Sequence, residues 1–311
     1  MITRTYLRPY TAIRFAWKNI LFSAICASAA YAFTVLPYLP QVRVPVAVAA
    51  ILGTALAIIL GFRNTSAYER WWEARKIWGG VVNESRTFMR QALTLEDHRR
   101  EGTEHSEKCQ QLVRTHLAWV NALRLQLHER TEQVQWETSV GRHLPPELYT
   151  EVCRFSNKVT HLGIHQGKVL KELTCDGVMD SYSYIQIDDT LSRLTDLQGM
   201  AERIKSTPLP RPYDYYTMTF LNLFILFLPF GMTDLFFEMG LIWLVFPITM
   251  IVGWIFFQIY IFGKVMASPF ENWHTDVALD AICTTIEIDL RETLGDTDIP
   301  VKAVPVDGVL M

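Results

Sequence analysis

The sequence predicts an all-α membrane protein with four transmembrane helices continuing into a cytoplasmic helical bundle. Three observations carry this. Four uncharged runs, Ile20–Val42, Val44–Phe62, Tyr215–Thr233 and Met239–Gly263, are each long enough to cross a bilayer core, which takes about 20 apolar residues. Charge is segregated: 50% of the 311 residues are hydrophobic and mean hydropathy is positive, although 20% are Asp, Glu, Lys or Arg. No section shows the alternation of strands, whereas three-and-four spacings of apolar residues recur outside the spans.

Residues 1–19 form a basic segment. Arg4, Arg8, Arg14 and Lys18 occur with no acid among them, and Tyr6, Leu7, Ile13, Phe15 and Trp17 are spaced between. This is the pattern of an amphipathic helix lying at a membrane surface on the cytoplasmic side. A basic start, an apolar run and Ala30-Tyr31-Ala32 also fit a signal peptide with its cleavage site. The apolar run continues well past Ala32 and a second span follows at once, so a retained helix is expected.

Residues 20–62 hold the first two spans, parted by Pro40 and Arg43 as a tight hairpin. In the second span Ala49, Gly53, Ala57 and Gly61 recur every four residues, a row of small side chains that lets a neighbouring helix come close. One position further round, Ala50, Thr54, Ile58 and Phe62 form another row. With the small row as packing seam, this second row faces a central axis. Rings of Ile58 and Phe62 then make a narrow apolar neck that gates by dewetting. The competing reading is that Ile58 and Phe62 only touch lipid.

Residues 63–214 are read as a cytoplasmic helical region. Arg63–Leu95 continues the second span as a helix, with Tyr68, Trp71, Trp72 and Trp78 at the water boundary. Glu69, Arg70, Glu73 and Arg75 can pair across helical turns or with a neighbouring subunit. Glu96–Ser106, with Asp97, His98, Arg99 and Arg100, is a polar connector. The spacing of Val113, Leu117, Val120, Leu123 and Leu127 predicts a helix over Glu107–Arg130. Thr131–Pro146 reads as a break, followed by helices near Glu147–Leu173 and Met179–Ser206. The proline-rich run Thr207–Pro212 ends the region, since repeated Pro cannot stay in a helix.

Residues 215–263 carry the third and fourth spans, separated by Asp234 and Glu238. Residues 264–311 begin with Ser268-Pro269-Phe270-Glu271 and then predict a helix over Asp276–Leu294. Asp276 is its expected N-cap, and Leu279, Ile282, Ile286 and Leu290 share one face. The tail from Gly295 reads as extended.

Basic residues precede the first span, follow the second (Arg63, Arg70, Arg75, Lys76) and follow the fourth (Lys264), whereas the loop between the third and fourth has none. The positive-inside rule therefore predicts a multi-pass protein of the cell's inner (plasma) membrane with both termini and the long middle section cytoplasmic. Five scattered cysteines without a CxxC fit reduced thiols, and a net charge of −3 gives no reason to expect a nucleic-acid partner.

Enzyme signatures are missing: there is no phosphate-binding glycine loop, no HExxH and no nucleophile elbow, so no catalytic residue and no cofactor are expected. His161 and His165 are four apart and could share a metal on one helix face, but further ligands are not evident nearby, and two exposed histidines is the plainer reading. Asp276, Asp280, Glu287 and Asp289 are acidic but spread along a helix rather than gathered in a calcium loop. No charged residue lies inside any predicted span, which argues against an ion-coupled carrier and favours a passive pore or a scaffold whose cytoplasmic bundle binds a partner. A pore needs several copies, because four simple helices leave no wide channel within one chain.

The run Gly61–Arg86, with its Arg70-Trp71-Trp72 triplet eight residues after Phe62, resembles the bestrophin family in its compact prokaryotic branch. Glu202-Arg203-Ile204 followed by Thr207-Pro208-Leu209-Pro210 resembles the family's pattern before the third span. Ser268-Pro269-Phe270 followed by Leu279-Asp280-Ala281-Ile282-Cys283 and Ile286-Glu287 resembles its pattern after the fourth. The resemblance implies a homopentamer around one central pore in the lipid bilayer, passing monovalent ions. It places the neck at Thr54, Ile58 and Phe62, where Thr54 departs from the family's bulky apolar residue, and maps a cytoplasmic constriction to Ile185. Animal members bind calcium through an acidic run after the Pro-Phe pair. Glu271-Asn272-Trp273-His274-Thr275-Asp276 stands there in this chain, so no comparable clasp is expected. The sign of the ion stays open: animal members pass chloride, and the prokaryotic branch includes a preference for monovalent cations such as sodium.

Overall fold

A computed structural model describes the backbone of residues 9–40, 42, 44–96, 105–306 and 308–310, with side chains from Ala16 onward. Arg4, Arg8, Arg43 and Asp97–Arg100, with the side chains of Ile13, Arg14 and Phe15, lie outside the described residues. The elements are α1 (Pro9–Val35), α2 (Val46–Thr94), α3 (Glu107–Leu127), α4 (Gln133–Ser139), α5 (Pro146–Val152), α6 (Lys158–Cys175), α7 (Ser181–Ser206), α8 (Arg211–Glu238), α9 (Val245–Met266) and α10 (Leu279–Thr293). Among the described residues the β structure is a single isolated bridge between Val306 and Val309 in the otherwise extended tail. The protein is an all-α membrane protein: α1, α2, α8 and the stretch Ile242–Met266 each contain a segment long and apolar enough to cross a bilayer.

The described residues divide into two units, one within residues 9–71 and 208–268, the other within residues 72–207 and 269–310. The first unit holds α1, the N-terminal part of α2, α8 and α9. Its core is Leu56 and Leu60 of α2, Leu221, Phe224 and Ile225 of α8, and Phe257 and Tyr260 of α9. Close approach is set by small residues. A Cβ on Gly53 would stand 2.9 Å from the Phe224 ring, and one on Gly253 would stand 2.3 Å from Ser23 Oγ. The hydroxyls of Ser23, Thr34, Thr54 and Thr217 each donate to the carbonyl four residues back, so none is left unpaired in an apolar setting.

Several boundaries differ from the sequence reading. The basic N-terminal segment runs without a break into the first span from Pro9 onward. That helix stops at Val35 rather than Val42, because Leu36 precedes Pro37 and a residue before proline is pushed out of the helical region. The third span starts at Arg211, with Pro212 in the first helical turn, and runs to Glu238, so it includes Asp214, and Asp234 and Glu238 are helical residues rather than linkers. The fourth begins later than Met239: Gly240 turns at φ 70°, a 3₁₀ turn covers Ile242–Leu244, and α9 follows.

In the second unit α3 is the central helix. Leu112, Val113, Leu117, Ala118, Trp119, Val120, Ala122 and Leu123 are buried, so it is enclosed nearly all round, against α6, α7 and α10. Its start is capped by Ser106, whose hydroxyl accepts from the Cys109 amide at 3.2 Å. His116 sits fully buried between Ser85 Oγ of α2, at 2.9 Å, and Gln166 of α6, at 3.3 Å. Burial pushes its pKa down to about 3, which keeps the imidazole neutral.

Four expectations for this unit are corrected. The break over Thr131–Pro146 contains the short helix α4, whose Trp136 indole donates to the Arg130 carbonyl at 2.7 Å. The helix expected over Glu147–Leu173 is two helices, because Asn157 starts α6 as an N-cap for the Thr160 amide. Asp276 does not cap α10, which is preceded by Ala278. It is buried, and its Oδ2 accepts from the Glu271 amide at 2.8 Å and the Trp273 amide at 3.1 Å, closing the loop after α9. His161 is buried rather than exposed, stacked on Phe155 with centroids 3.7 Å apart and 3.1 Å from Glu151.

Candidate pore-lining face of the second helix

α2 carries the residues singled out for a neck, and its own packing shows which of its faces are spoken for. In the first unit the buried positions are Ala49, Leu56, Leu60, Arg63 and Ala67. They step alternately by about three and four residues, a spacing that keeps a stripe on one side of a helix. A strict four-residue step instead turns about 40° each time. The small-residue row therefore leaves the stripe within two steps. Ala49 and Gly53 meet α8, where a Cβ on Gly231 would be 3.3 Å from the Ala49 side chain, whereas Ala57 and Gly61 are exposed in the single chain and a Cβ on Gly61 would meet nothing within 4 Å.

Thr54, Ile58 and Phe62 lie on the other side. Two residues along a helix is a rotation of about 200°, so Ile58 and Phe62 point away from Leu56 and Leu60. Ile58 is 56% exposed and Phe62 68% exposed, and Thr54 is exposed with its hydroxyl turned back to the Ala50 carbonyl at 2.9 Å. A continuous, uncharged and unpartnered face thus runs down the apolar part of α2, ending one residue before Arg63.

Arg63 fixes the rotation of that face. It is 1% exposed. Its Nε donates to Asp214 Oδ1 at 2.8 Å, a second guanidinium nitrogen pairs with the same oxygen, and Nη1 donates to the Tyr260 carbonyl at 2.9 Å. The guanidinium also lies 4.6 Å from the Tyr260 ring centroid. Next to it, Asn64 Nδ2 donates to the Ile259 carbonyl at 3.0 Å, and Tyr213 Oη donates to the Ile59 carbonyl at 3.1 Å. The sequence reading names Arg63 only as a basic residue after the second span and does not single out Asp214. The available signal was that each stands at the polar end of a span, one of each sign.

Beyond the apolar part, Arg70 and Trp71 are half-buried, Trp72 is exposed, and Tyr68 stacks on Trp71 at 6.3 Å between centroids. Glu73 is bound within the chain by Arg203 of α7, at 2.8 Å. In the second unit α7 is set against α2 by Thr190, which donates to Gln91 Oε1 at 2.8 Å, and by Leu197 beside Gly80. Ile185, on the side of α7 away from the buried Ile187, is 63% exposed.

The other candidate sites are accounted for differently. Among the described residues no three His, Cys, Asp or Glu side chains come together as a metal site. Asp280 pairs with Arg124, Glu287 with Arg142 at 2.6 Å and Arg291 at 3.1 Å, and Asp289 with Arg86 at 2.7 Å. Asp276, which precedes α10, is held by the backbone amides of Glu271 and Trp273.

Comparison with known proteins bears on this arrangement. Residues 10–292 match a family model described as Bacterial/Fungal Bestrophin protein. A voltage-dependent anion channel-forming protein of Ralstonia nicotianae is 29% identical over 305 residues, covering 95% of each chain. A protein of the same description from Salmonella typhi is 30% identical over 256 residues, 82% of this chain and 79% of its own. The crystal structure of a bacterial bestrophin homologue from Klebsiella pneumoniae superposes with a TM-score of 0.78 at 26% identity, over 92% of this chain and 99% of that one.

Proposed function

The chain belongs to the bacterial and fungal bestrophin family, and from that premise we propose that it forms a homopentameric channel passing small monovalent anions through a hydrophobic neck. The relatives carry channel names, and nothing in their descriptions points to an enzyme. The observation that carries the reading is the division of α2. One face is consumed by packing and by the Arg63 anchor, and the opposite face offers Thr54, Ile58 and Phe62, all exposed among the described residues. Five such faces around an axis form stacked rings of apolar side chains. Such a constriction passes ions only when wetted, so conduction is passive and gated by hydration.

Ile185, exposed on α7, is the proposed second constriction, in a cytoplasmic part made of residues 72–207 and 269–311. The positive-inside charge pattern supports this orientation in the inner membrane. Anion passage is supported by the names of the relatives. The test is the reversal potential of purified protein in planar bilayers under asymmetric potassium chloride. Reversal near the chloride equilibrium potential is expected. Reversal near the potassium potential replaces the anion by a cation. Absence of conductance from an intact oligomer overturns the channel and leaves the membrane scaffold.

A further inference from the structure

The second unit contains a cleft that conduction does not use. Its volume is about 620 Å³, and it opens where α3 ends and α4, α5 and the start of α6 meet. One wall is Trp136, buried and tied to the backbone of Arg130 by its indole N–H at 2.7 Å. Another is Tyr149, whose pKa is pushed up to about 12, first by burial and then by the Cys153 thiol beside it, so the phenol stays neutral and can donate. Lys158 places its ammonium 4.9 Å from the Trp136 ring centroid.

In the same unit Arg114, Arg124, Arg142, Arg193 and Arg291 are held by carboxylates. Arg130 and Lys158 both line the cleft and form no ion pair among the described residues. Glu129, which also lines the cleft, is 73% exposed and is paired with Lys205 at 3.6 Å. Two cations without an ion pair beside two aromatic walls form a site with an anion-binding end and an apolar end, the arrangement that small-molecule pockets use to fix orientation.

We propose that this cleft binds a small organic anion, a carboxylate carried on a flat apolar body, with Arg130 and Lys158 holding the carboxylate and Trp136 and Tyr149 flanking the body. Inorganic phosphate lacks the apolar part, and an aromatic amine has the wrong sign. The proposal does not depend on conduction.

The cleft carries its own reporter. Cys153 lines it and is exposed, Cys175 is exposed elsewhere, and Cys26, Cys109 and Cys283 are buried. Full-length protein in detergent micelles is treated with N-ethylmaleimide, and the rates at Cys153 and Cys175 are read by peptide mass spectrometry with benzoate, acetate, inorganic phosphate or benzylamine present. Benzoate is expected to slow labelling of Cys153 and leave Cys175 unchanged, with no effect from the other three. R130A and K158A should each raise the benzoate concentration needed by about tenfold, the size expected for one charge-assisted contact. R130K, which retains the charge, should lose less than R130A and guards against a folding defect. Equal slowing of both thiols, slowing by phosphate or benzylamine, or a Cys153 that fails to label without ligand each overturns the proposal.

Discussion

Arg63 and Asp214 stand 151 residues apart in sequence, yet the Arg63 Nε donates to Asp214 Oδ1 at 2.8 Å while the guanidinium itself is 1% exposed. The pair joins α2 to the start of α8 one residue below Phe62. It turns the face carrying Ile58 and Phe62 away from its own bundle, so the pair sets the direction in which they point.

The two partners are not equivalent. Asp214→Ala leaves a buried guanidinium with only the Tyr260 carbonyl and ring, whereas Arg63→Ala leaves a carboxylate whose side chain is 40% exposed and can rehydrate. We expect D214A to lose about 3 kcal/mol and R63A about 1–2 kcal/mol. Thermal melting of the two variants in the same detergent checks the order. Equal losses contradict the assignment of the buried charge.

Glycines on the same scaffold should behave oppositely. A Cβ on Gly263 would stand 2.0 Å from Asn64 Oδ1 and 2.7 Å from Arg63 Nη1, so Gly263→Ala breaks the anchor and is expected to destabilise by about 2 kcal/mol or more. Gly61 has open space, and Gly61→Ala is expected to be neutral or to gain up to about 1 kcal/mol of helix propensity in the monomer. A Gly61→Ala variant that melts normally but fails to assemble places Gly61 in the seam between copies.

Shortening Ile58 and Phe62, the proposed neck side chains, should cost little stability and change flux. Ile58 and Phe62 are more than half exposed, so Ile58→Ala and Phe62→Ala are expected to shift the unfolding free energy by no more than about 0.5–1 kcal/mol. Ion flux into proteoliposomes should rise severalfold in each and further in the double variant, since a wider apolar ring wets more readily. Unchanged flux removes these residues from the neck.

Buried histidines tie stability to pH. Burial lowers His116 to about 3 from an ordinary value of 6.5, and burial with nearby arginines lowers His143 to about 3. The unfolded chain binds protons below pH 6.5 that the folded chain refuses. Their contribution is therefore complete above pH 6.5 and is lost as pH falls from 6.5 toward 3, by up to about 1.4 kcal/mol per pH unit for each group. His116→Gln should flatten the slope of melting temperature against pH between 6.5 and 5. The slope is the readout, because the substitution also alters contacts to Ser85 and Gln166.

Glu129 ends α3 in the left-handed region at φ 53°, with its own amide bonded to the Gln126 carbonyl and the Arg130 amide to the Leu125 carbonyl. Glycine suits this position better than a residue with a Cβ. Glu129→Gly is expected to raise stability by about 1 kcal/mol, since the exposed contact to Lys205 contributes little. Chemical denaturation of the variant measures it.

Periodicity located the spans and most helices because those signals are local. It missed α4, since seven residues, about two turns, between breaks are too few for a period to show. It gave Asp276 a capping role on position alone, although the carboxylate reaches back to the Glu271 and Trp273 amides in the folded loop. The small-residue row of α2 was visible, but its four-residue step drifts around the helix. Ala49 and Gly53 pack within the chain, while Ala57 and Gly61 do not.

By itself the sequence determined that this is a helical membrane protein, where its apolar segments lie and which family it resembles. Hydrophobic length, helical period and a contiguous signature are all read over short stretches of chain. Tertiary structure alone decided which face of α2 remains without a partner, because that depends on Leu221, Phe224, Phe257 and the Arg63–Asp214 pair arriving from distant segments to cover the other side. A helix offers every face alike until its neighbours choose among them.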